Sequence, residues 1–243
     1  MAELIAGLQA NVIAANLTRL REEIAAGAAR SSAARARPER PEVEVLAAVK
    51  YVSLEDLPLL AEAGVRLVGE NRAQELEAKA GAYGGLFEWD FIGQLQSRRV
   101  RQIVPHVRLI HSVASDSALR ELGRHLELAR PGLRILIEVN VAGEAGKAGV
   151  APDQLDAFIA RSPVPVAGLM TMPPLSHHPD DSRRWFAALR ELGDERGLEH
   201  LSMGTSQDYL VAVEEGATIV RIGTKLYDGV QAGRHKGGQA LNH

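Results

Sequence analysis

A single lysine ends one of the apolar runs of this 243-residue chain. The run Val45–Val49 has the length of a strand, Lys50 follows it directly, and a polar turn begins at Ser53. An ammonium group is costly to desolvate, so in a partly dry site the neutral amine becomes available as a nucleophile toward carbonyl compounds. Long cationic side chains also commonly extend from strand ends into water. The sequence therefore predicts either a carbonyl-binding amine at Lys50 or a solvated strand end.

Small and hydroxyl-bearing residues gather near the end of the chain, in two groups. One group precedes a helical pattern that starts at Gln207, and the other follows the apolar run Ile219–Ile222. Backbone N–H groups at glycine-rich turns and helix N-termini bind phosphate, so one phosphate could accept hydrogen bonds from both turns. The alternative for Ser206 is the role of a helix N-cap, which serine often fills. The candidate phosphate-binding residues are Ser202, Gly204, Thr205, Ser206, Gly223 and Thr224.

Arg221 lies just before the second of these turns. Pyridoxal phosphate (PLP) is a carbonyl compound that would use both a lysine amine and a phosphate-binding turn. An arginine beside its pyridine nitrogen can only donate a hydrogen bond, so that nitrogen would stay neutral and the cofactor would stabilise carbanions poorly. The alternative for Arg221 is an ion pair with a carboxylate such as Glu70.

Eight short apolar runs alternate with segments of helical spacing, and together they indicate how these residues are positioned. Strands that alternate with helices predict parallel pairing and right-handed crossovers, and eight such units predict a TIM (β/α)8 barrel. An open, doubly wound sheet is the alternative fold. The predicted strands are Val43–Val49, Arg66–Gly69, Trp89–Gly93, Leu109–Val113, Ile135–Val141, Val166–Met172, Leu201–Gly204 and Ile219–Gly223.

The barrel prediction brings the candidate residues together, because active sites in this fold form at the C-terminal ends of the strands. Lys50 ends the first predicted strand, Asn71 follows the second, and Arg221 lies at the end of the eighth. Asn71 alone could equally be a helix N-cap. Convergence of these side chains on one face predicts a common site.

We expect one domain, since α/β barrels of ~250 residues commonly form a single unit. Apolar residues at three- and four-residue steps predict an amphipathic helix from Glu3 to about Ala26, followed by a connector without periodicity. The predicted organisation is an N-terminal helix and connector at 1–41, the barrel at 42–228 and a flexible tail at 229–243.

Composition excludes several classes of protein. The net charge is −3 and the 28 basic residues are scattered, which does not predict a nucleic-acid-binding surface. The absence of cysteine excludes disulfides, thiolate zinc sites and cysteine nucleophiles, and fits a reducing cytoplasm. No apolar run approaches the ~20 residues of a membrane span, and no signal peptide is recognisable. We expect a cytoplasmic protein that binds neither membranes nor nucleic acid.

Several longer motifs, found in order along nearly the whole chain, are similar to those of a known protein family. The chain resembles the pyridoxal-phosphate homeostasis protein family, the YggS-like or proline-synthetase-co-transcribed proteins, whose barrel is similar to the N-terminal domain of alanine racemase. The motifs are Ala48–Lys50, Gly69–Glu75, Trp89–Ser97, Glu144–Gly149 with Lys147, Gly168–Met172, Leu201–Ser206 and Val220–Thr224.

The resemblance implies a binding protein that buffers PLP or delivers it to PLP-dependent apo-enzymes, without robust catalysis. It implies that Lys50 forms a Schiff base with the cofactor and that Arg221 meets the pyridine nitrogen. Asn71 and Met203 are implied to line the ring pocket. The residues implied to hold the phosphate are Ser206, Gly223 and Thr224.

An amino-acid racemase is the competing prediction. Racemisation needs an acid/base on each face of the substrate, and in the similar racemases the second base is a tyrosine from a further β domain of the partner subunit. Only ~20 residues follow the eighth strand, fewer than such a domain needs. We therefore expect a monomeric carrier. The tyrosines that could substitute as a base are Tyr51, Tyr83, Tyr209 and Tyr227.

A metal-dependent barrel enzyme is a third possibility. The spacing of the candidate ligands is poor, since His177 and His178 are adjacent in a proline-flanked loop and neighbouring residues seldom point at one ion. The other histidines considered as ligands are His106, His111 and His200.

We also expect the glycine-rich loop that carries Lys147 to cover the site.

Overall fold

Eight parallel strands close into a barrel in the computed structural model, which describes residues 4–31 and 41–229. Each strand pairs with the next along the chain, and β8 returns to pair with β1, where Leu46 lies opposite Arg221. The TIM barrel prediction is confirmed, and the open-sheet alternative is wrong because the first and last strands are paired. The strands are β1 (Glu44–Ala48), β2 (Leu67–Glu70), β3 (Glu88–Phe91), β4 (Leu109–Val113), β5 (Arg134–Glu138), β6 (Val166–Met170), β7 (His200–Thr205) and β8 (Ile219–Ile222).

Helices connect the strands and surround the barrel. Within the described residues, one α-helix lies in each crossover from β1 to β8, and one more precedes β1. Strands that alternate with helices on the outside bury both faces of the sheet, which explains why the strands are almost continuously apolar. The helices are α1 (Ala10–Arg30), α2 (Leu57–Glu62), α3 (Ala73–Tyr83), α4 (Val100–Ile103), α5 (Asp116–Arg124), α6 (Leu155–Ala160), α7 (Arg183–Glu195) and α8 (Tyr209–Glu214).

Buried apolar residues form two clusters. The larger one fills the space between the strands and the surrounding helices, while the smaller one draws on six of the strands and therefore lies inside the barrel. This interior layer supports the polar residues above it. Its buried members are Leu46, Leu67, Leu109, Leu136, Ala167, Met170 and Ile219.

The N-terminal helix begins later and ends later than its periodicity predicts. Residues 4–9 are not helical: Gly7 has a φ of 72°, in the left-handed region, and the Ile5 N–H donates to the Tyr51 carbonyl at 2.8 Å. This contact draws the leading segment across the strand end that carries Lys50. At the other end the helix continues to Arg30, so the first part of the predicted connector is helical. The rest of the connector, 32–40, lies outside the described residues.

Helix α1 completes the ring of helices. It contacts α8, α2 and the short 3-10 turn Thr224–Leu226 that follows β8. The Asn16 side chain is buried there and donates from Nδ2 to the carbonyls of Leu226 (3.1 Å) and Asp228 (2.9 Å). The helix therefore fixes the turn after β8. The predicted tail, 229–243, lies outside the described residues except for Gly229. None of the described helices has the length and apolarity to span a membrane.

Candidate functional site

A cavity of about 450 Å³ opens at the C-terminal ends of the strands, where the predicted site residues were expected to meet. It brings together seven of them, which come from the ends of four strands, β1, β2, β7 and β8. The residues that line the cavity are Ile5, Ala48, Lys50, Tyr51, Asn71, Ile92, Met172, Thr205, Ser206, Gln207, Arg221, Gly223, Thr224 and Tyr227.

Lys50 follows β1 in a tight turn at the edge of the cavity. The N–H of Val49 still donates to the Gly69 carbonyl of β2 (3.0 Å), and the N–H of Val52 donates to the Val49 carbonyl (3.0 Å). The half-buried lysine places its Nζ 4.7 Å from the centre of the Tyr51 ring. Within the described residues, no carboxylate forms a salt bridge with it. Its amine is thus positioned by backbone pairing and faces the cavity without a compensating anion.

A buried ion pair lies directly behind this turn. Lys79 of α3 donates from Nζ to Glu70 Oε2 (2.7 Å) and to the Val49 carbonyl (2.8 Å). The other oxygen of Glu70 accepts the backbone N–H groups of Asn71 (2.7 Å) and Arg72 (3.3 Å). Glu70 is therefore occupied by Lys79 and the backbone, and the predicted alternative of an Arg221–Glu70 ion pair is wrong.

Asn71 forms the wall of the cavity beyond β2. Its side-chain Oδ1 is buried and has no hydrogen-bond partner within the described part of the chain. Gly93 allows the neighbouring loop to approach it, because a Cβ at that position would lie 2.0 Å from the Asn71 carbonyl oxygen. A buried acceptor without a partner is costly, so Asn71 offers unused hydrogen-bonding capacity to a ligand.

The two glycine- and serine-containing turns, after β7 and β8, meet at the cavity. Ser206 Oγ accepts the backbone N–H groups of Gly223 (3.1 Å) and Lys225 (3.4 Å). Thr224 begins the 3-10 turn after β8, whose first N–H groups have no partner within the turn itself. Hydroxyl and backbone N–H groups that converge in this way can bind an anion such as phosphate.

Arg221 of β8 lines the same cavity, and it is almost entirely buried. Its Nη1 donates to Ser202 Oγ (2.6 Å), and its Nη2 donates to the Thr171 carbonyl (3.0 Å) and the Met172 sulfur (2.9 Å). Burial lowers the pKa of Arg221 to about 10, although the charges of nearby carboxylates oppose the shift. The side chain remains a cation at neutral pH and is held by uncharged partners.

Three of the predicted site residues do not line this cavity. Ser202 is buried beneath Arg221, Met203 is buried in the large apolar cluster outside the barrel, and Gly204 lines a neighbouring cavity. Side chains alternate along a strand, so residues 202 and 203 point to opposite faces. Pairing between β7 and β8 also shifts register between Ser202 and Thr205, where Gly204 has a φ of 88°. The motif Leu201–Ser206 does not reveal which of its side chains face the cavity, nor that the pairing register shifts within it.

The sequence analysis did not predict some of the residues that line the cavity, and it considered Tyr227 only as a possible base. Ile5 belongs to the N-terminal segment, and Ile92 follows β3, so only the fold brings them here. Tyr227 donates from Oη to the Ala48 carbonyl (3.2 Å). Burial and the charge of Glu70 raise the pKa of Tyr227, which keeps its phenol protonated.

The loop that carries Lys147 follows the C-terminal end of β5. It is held by an isolated bridge between Val139 and Val150, and Lys147 pairs with Glu144 at 2.5 Å. Burial raises the pKa of Glu138, while Arg221 and Lys147 oppose the shift. No residue of the loop from Val139 to Val150 is among those that line the cavity. Coverage of the site by this loop stays a prediction.

The histidines are dispersed over the fold. His111 lies in the barrel core, His200 lies at the N-terminal end of β7, and His177 and His178 are in the loop after β6. Across residues 4–31 and 41–229, no group of three His, Asp or Glu side chains has the arrangement needed to hold a metal ion.

Comparisons with known proteins match the fold and assign a family. A family model described as the alanine racemase N-terminal domain matches residues 13–230. The alanine racemase of Bartonella henselae shares this fold, with a TM-score of 0.67 at 14% identity over 98% of this chain and 64% of the racemase chain. The class of protein is therefore a barrel of the alanine racemase N-terminal type.

Relatives with higher sequence identity to this chain assign it to one family within this class. The chain is 42% identical over 195 residues to the pyridoxal phosphate homeostasis protein of Aquifex aeolicus, covering 76% of this chain and 86% of that protein. It is 32% identical to the Escherichia coli pyridoxal phosphate homeostasis protein, covering 89% and 96%. The structure of PipY from Synechococcus elongatus with PLP bound has a TM-score of 0.72 at 31% identity, covering 88% of this chain and 99% of PipY. The chain belongs to the pyridoxal phosphate homeostasis protein family.

Proposed function

We propose that this chain holds PLP in the cavity as a Schiff base on Lys50 and serves intracellular PLP homeostasis by buffering and delivering the cofactor. The observation that carries the proposal is the meeting of an uncompensated lysine, an anion-binding pair of turns and a buried arginine around one cavity. When bound, PLP supplies an aldehyde carbon that the lysine amine joins with loss of one water. PipY, a relative with the same fold, is described with PLP bound.

The cavity residues fit such a ligand. Ser206 and Thr224 supply hydroxyl groups and Thr224 a backbone N–H for the phosphate, in a turn that Gly223 fixes by donating its N–H to Ser206 Oγ. The orphaned Asn71 Oδ1 offers a buried acceptor beside the ring position. Arg221 remains charged at neutral pH and donates to the ring nitrogen, which leaves that nitrogen unprotonated.

The same residues argue for a carrier over a robust enzyme. A donor-only arginine at the ring nitrogen weakens the ring as an electron sink, so proton abstraction from a bound amino acid is poorly supported. Tyr227 is held as a hydrogen-bond donor to Ala48, and burial keeps it protonated, so it is a poor base. Tyr51 is the tyrosine in contact with Lys50, and a racemase would have to use it. We therefore propose that the protein acts without robust catalysis, passing PLP to apo-enzymes in the cytoplasm as a monomer.

The test is the visible absorption spectrum of the purified chain with PLP, before and after borohydride reduction, followed by peptide mapping of the reduced adduct. We expect a reducible band and an adduct on Lys50, both lost in Lys50→Ala. Lys225→Ala is the matched control, because Lys225 neighbours the phosphate turn but its side chain contacts Tyr209 and Glu23. A protein that stays colourless when given PLP would overturn the proposal.

Turnover is measured on the same samples. Incubation of the loaded protein with L- and D-amino acids should give negligible racemisation, and Tyr51→Phe should leave any residual rate unchanged. Racemisation that is fast and lost in Tyr51→Phe would replace the carrier proposal with the racemase alternative. Transfer of PLP to an added apo-enzyme, faster than release into buffer, would support delivery, whereas equal rates would restrict the role to buffering.

A further inference from the structure

A continuous line of polar side chains crosses the barrel core beneath Arg221. Arg221 on β8 donates to Ser202 Oγ on β7 at 2.6 Å, and this oxygen lies 2.9 Å from His111 Nδ1 on β4. The other ring nitrogen of His111 lies 3.1 Å from Asp90 Oδ2 on β3. All four side chains are buried, with Arg221 the most exposed at 7%. The line therefore runs from the cavity into the interior without a gap for solvent.

With a neutral His111, the donors and acceptors in this line have only one consistent direction. Arg108 donates to both oxygens of Asp90, from Nε (3.0 Å) and Nη2 (3.2 Å), which holds Asp90 as a carboxylate. A carboxylate only accepts, so His111 carries its proton on Nε2 and leaves Nδ1 as an acceptor. The Ser202 hydroxyl must then donate to Nδ1, and its lone pairs accept from Arg221. Each group in the line is oriented by the next.

The charges at the far end of the line are fixed by a second pair. Arg108 also donates to Glu44 at the N-terminal end of β1, from Nη1 (2.9 Å) and Nη2 (2.7 Å). Burial opposes the charge of Arg108, but its hydrogen bonds to Glu44 and its attraction to Asp90 raise its pKa overall. Asp90 is therefore paired with Arg108 and makes no direct ion pair with Arg221.

His111 is a neutral spacer within the line. Burial lowers its pKa, and the charges of Arg221 and Arg108 act in the same direction, against the opposing effect of Asp90. Ser202 and neutral His111 thus separate the Asp90 carboxylate from Arg221. The carboxylates whose charges act on Arg221 are instead Asp208 and Glu138. A direct ion pair would cancel the charge of Arg221, whereas this line transmits orientation without cancelling the charge.

We propose that Ser202, His111 and Asp90 are positioning residues that lock the Arg221 guanidinium in the orientation from which it donates to the ring nitrogen of bound PLP. This inference rests on the proposed function. Ser202 holds one terminal nitrogen of the guanidinium, and the Thr171 carbonyl and Met172 sulfur hold the other. The remaining N–H groups are left for the cavity that Arg221 lines.

The first test examines the line itself in the unaltered chain without added cofactor. Nitrogen-15 NMR of the histidine rings, with His111 assigned from its contacts to Ser202, should show the neutral tautomer with the proton on Nε2. This form should persist below about pH 6.5, where an ordinary histidine gains a second proton. A proton on Nδ1, or a doubly protonated ring at neutral pH, would overturn the proposal whether or not PLP binds.

The second test examines the effect on the cofactor, using PLP labelled with nitrogen-15 in its ring. Ser202→Ala should shift the ring-nitrogen signal of the bound cofactor and raise the Kd for PLP about tenfold, the typical effect of losing one hydrogen bond to a charged group. Ser202→Thr retains the hydroxyl and should restore both. Thr218→Val is the matched control, because it removes a buried hydroxyl between the same two strands that bonds Leu201 and not Arg221.

The outcomes separate this inference from the proposed function. A wild-type chain that gives no signal of bound PLP would refute the proposed function, while the tautomer of His111 would still test the line. A wild-type chain that binds PLP, together with Ser202→Ala that keeps the wild-type ring-nitrogen signal and Kd, would refute the positioning role alone. An equal change in Thr218→Val would also refute it, since the effect would then follow from the loss of any buried hydroxyl.

Discussion

Lys50 and Lys79 both lie beside Val49, yet their surroundings differ. Lys79 is buried and fully paired, with Glu70 and the Val49 carbonyl as partners. Lys50 faces the cavity and contacts only the Tyr51 ring among the described charged and aromatic groups. The same contrast separates the cavity from the clusters around it, because Arg108 is saturated by Glu44 and Asp90. The comparison teaches that, among these three cations, the one without a carboxylate partner faces the cavity, where a ligand can contact it.

Removing one member of a saturated pair should have the largest effect on stability. Lys79→Met leaves Glu70 buried without its cation, which we expect to lower the free energy of unfolding by about 3–5 kcal/mol. Denaturant titration measures this change. The double variant Glu70→Gln, Lys79→Met should recover much of the loss, because no uncompensated charge remains. A loss below about 1 kcal/mol would mean that the pair is not buried as described.

Gly204 lies at the boundary between the cavity and the core, and its substitution should have the next largest effect. Its φ is 88°, and a Cβ there would lie 2.6 Å from the Ala212 side chain and 2.9 Å from the Tyr209 backbone. We expect Gly204→Ala to cost about 2–4 kcal/mol from backbone strain and overpacking. Gly64→Ala is the control, since Gly64 has a φ of 86° but nothing within 4 Å. Equal losses in the two variants, measured by thermal unfolding, would contradict the steric argument.

The neutral histidine of the core makes stability depend on pH. Burial lowers the pKa of His111 in the folded chain, so the unfolded chain binds the proton more readily. Stability is therefore complete above about pH 6.5 and falls as the pH drops toward the folded pKa, by up to about 1.4 kcal/mol per pH unit. Burial lowers the pKa of His200 as well, so His111→Gln should reduce the slope without removing it.

Urea titrations at several pH values between 7.5 and 5 measure this slope. A slope that is unchanged in His111→Gln would show that His111 does not stay neutral in the folded core.

The smallest effect on stability is expected for the lysine of the cavity. Lys50→Ala removes a half-buried group without an ion pair in the described structure, so the free energy of unfolding should change by no more than about 0.5 kcal/mol. Thermal unfolding without PLP measures this value, and Lys79→Met is the reference for a structural lysine. A loss comparable to that of Lys79→Met would remove the contrast between the two lysines.

Much of the fold was predictable because its signals are local. Alternating strands and helices predicted the barrel, and strand ends placed Lys50, Asn71 and Arg221 on one face. The errors arose where tertiary contacts override local pattern. The apolar spacing of residues 4–9 predicts a helix, but the Ile5 N–H pairs with Tyr51 instead. Val139 to Val141 read as the continuation of β5, yet β5 ends at Glu138 and Val139 forms an isolated bridge with Val150.

The sequence by itself determined the order of the strands, the residue types at their ends and therefore the chemistry available at one mouth of the barrel. Only the tertiary structure decided which of those residues share the cavity. Strand alternation and the register shift in β7 place Ser202 beneath Arg221 and turn Met203 to the outer core. The partners of Glu70 and Arg221 were also decided there, because a buried charge takes the partner that the packed fold brings within hydrogen-bonding distance, whatever their separation in sequence.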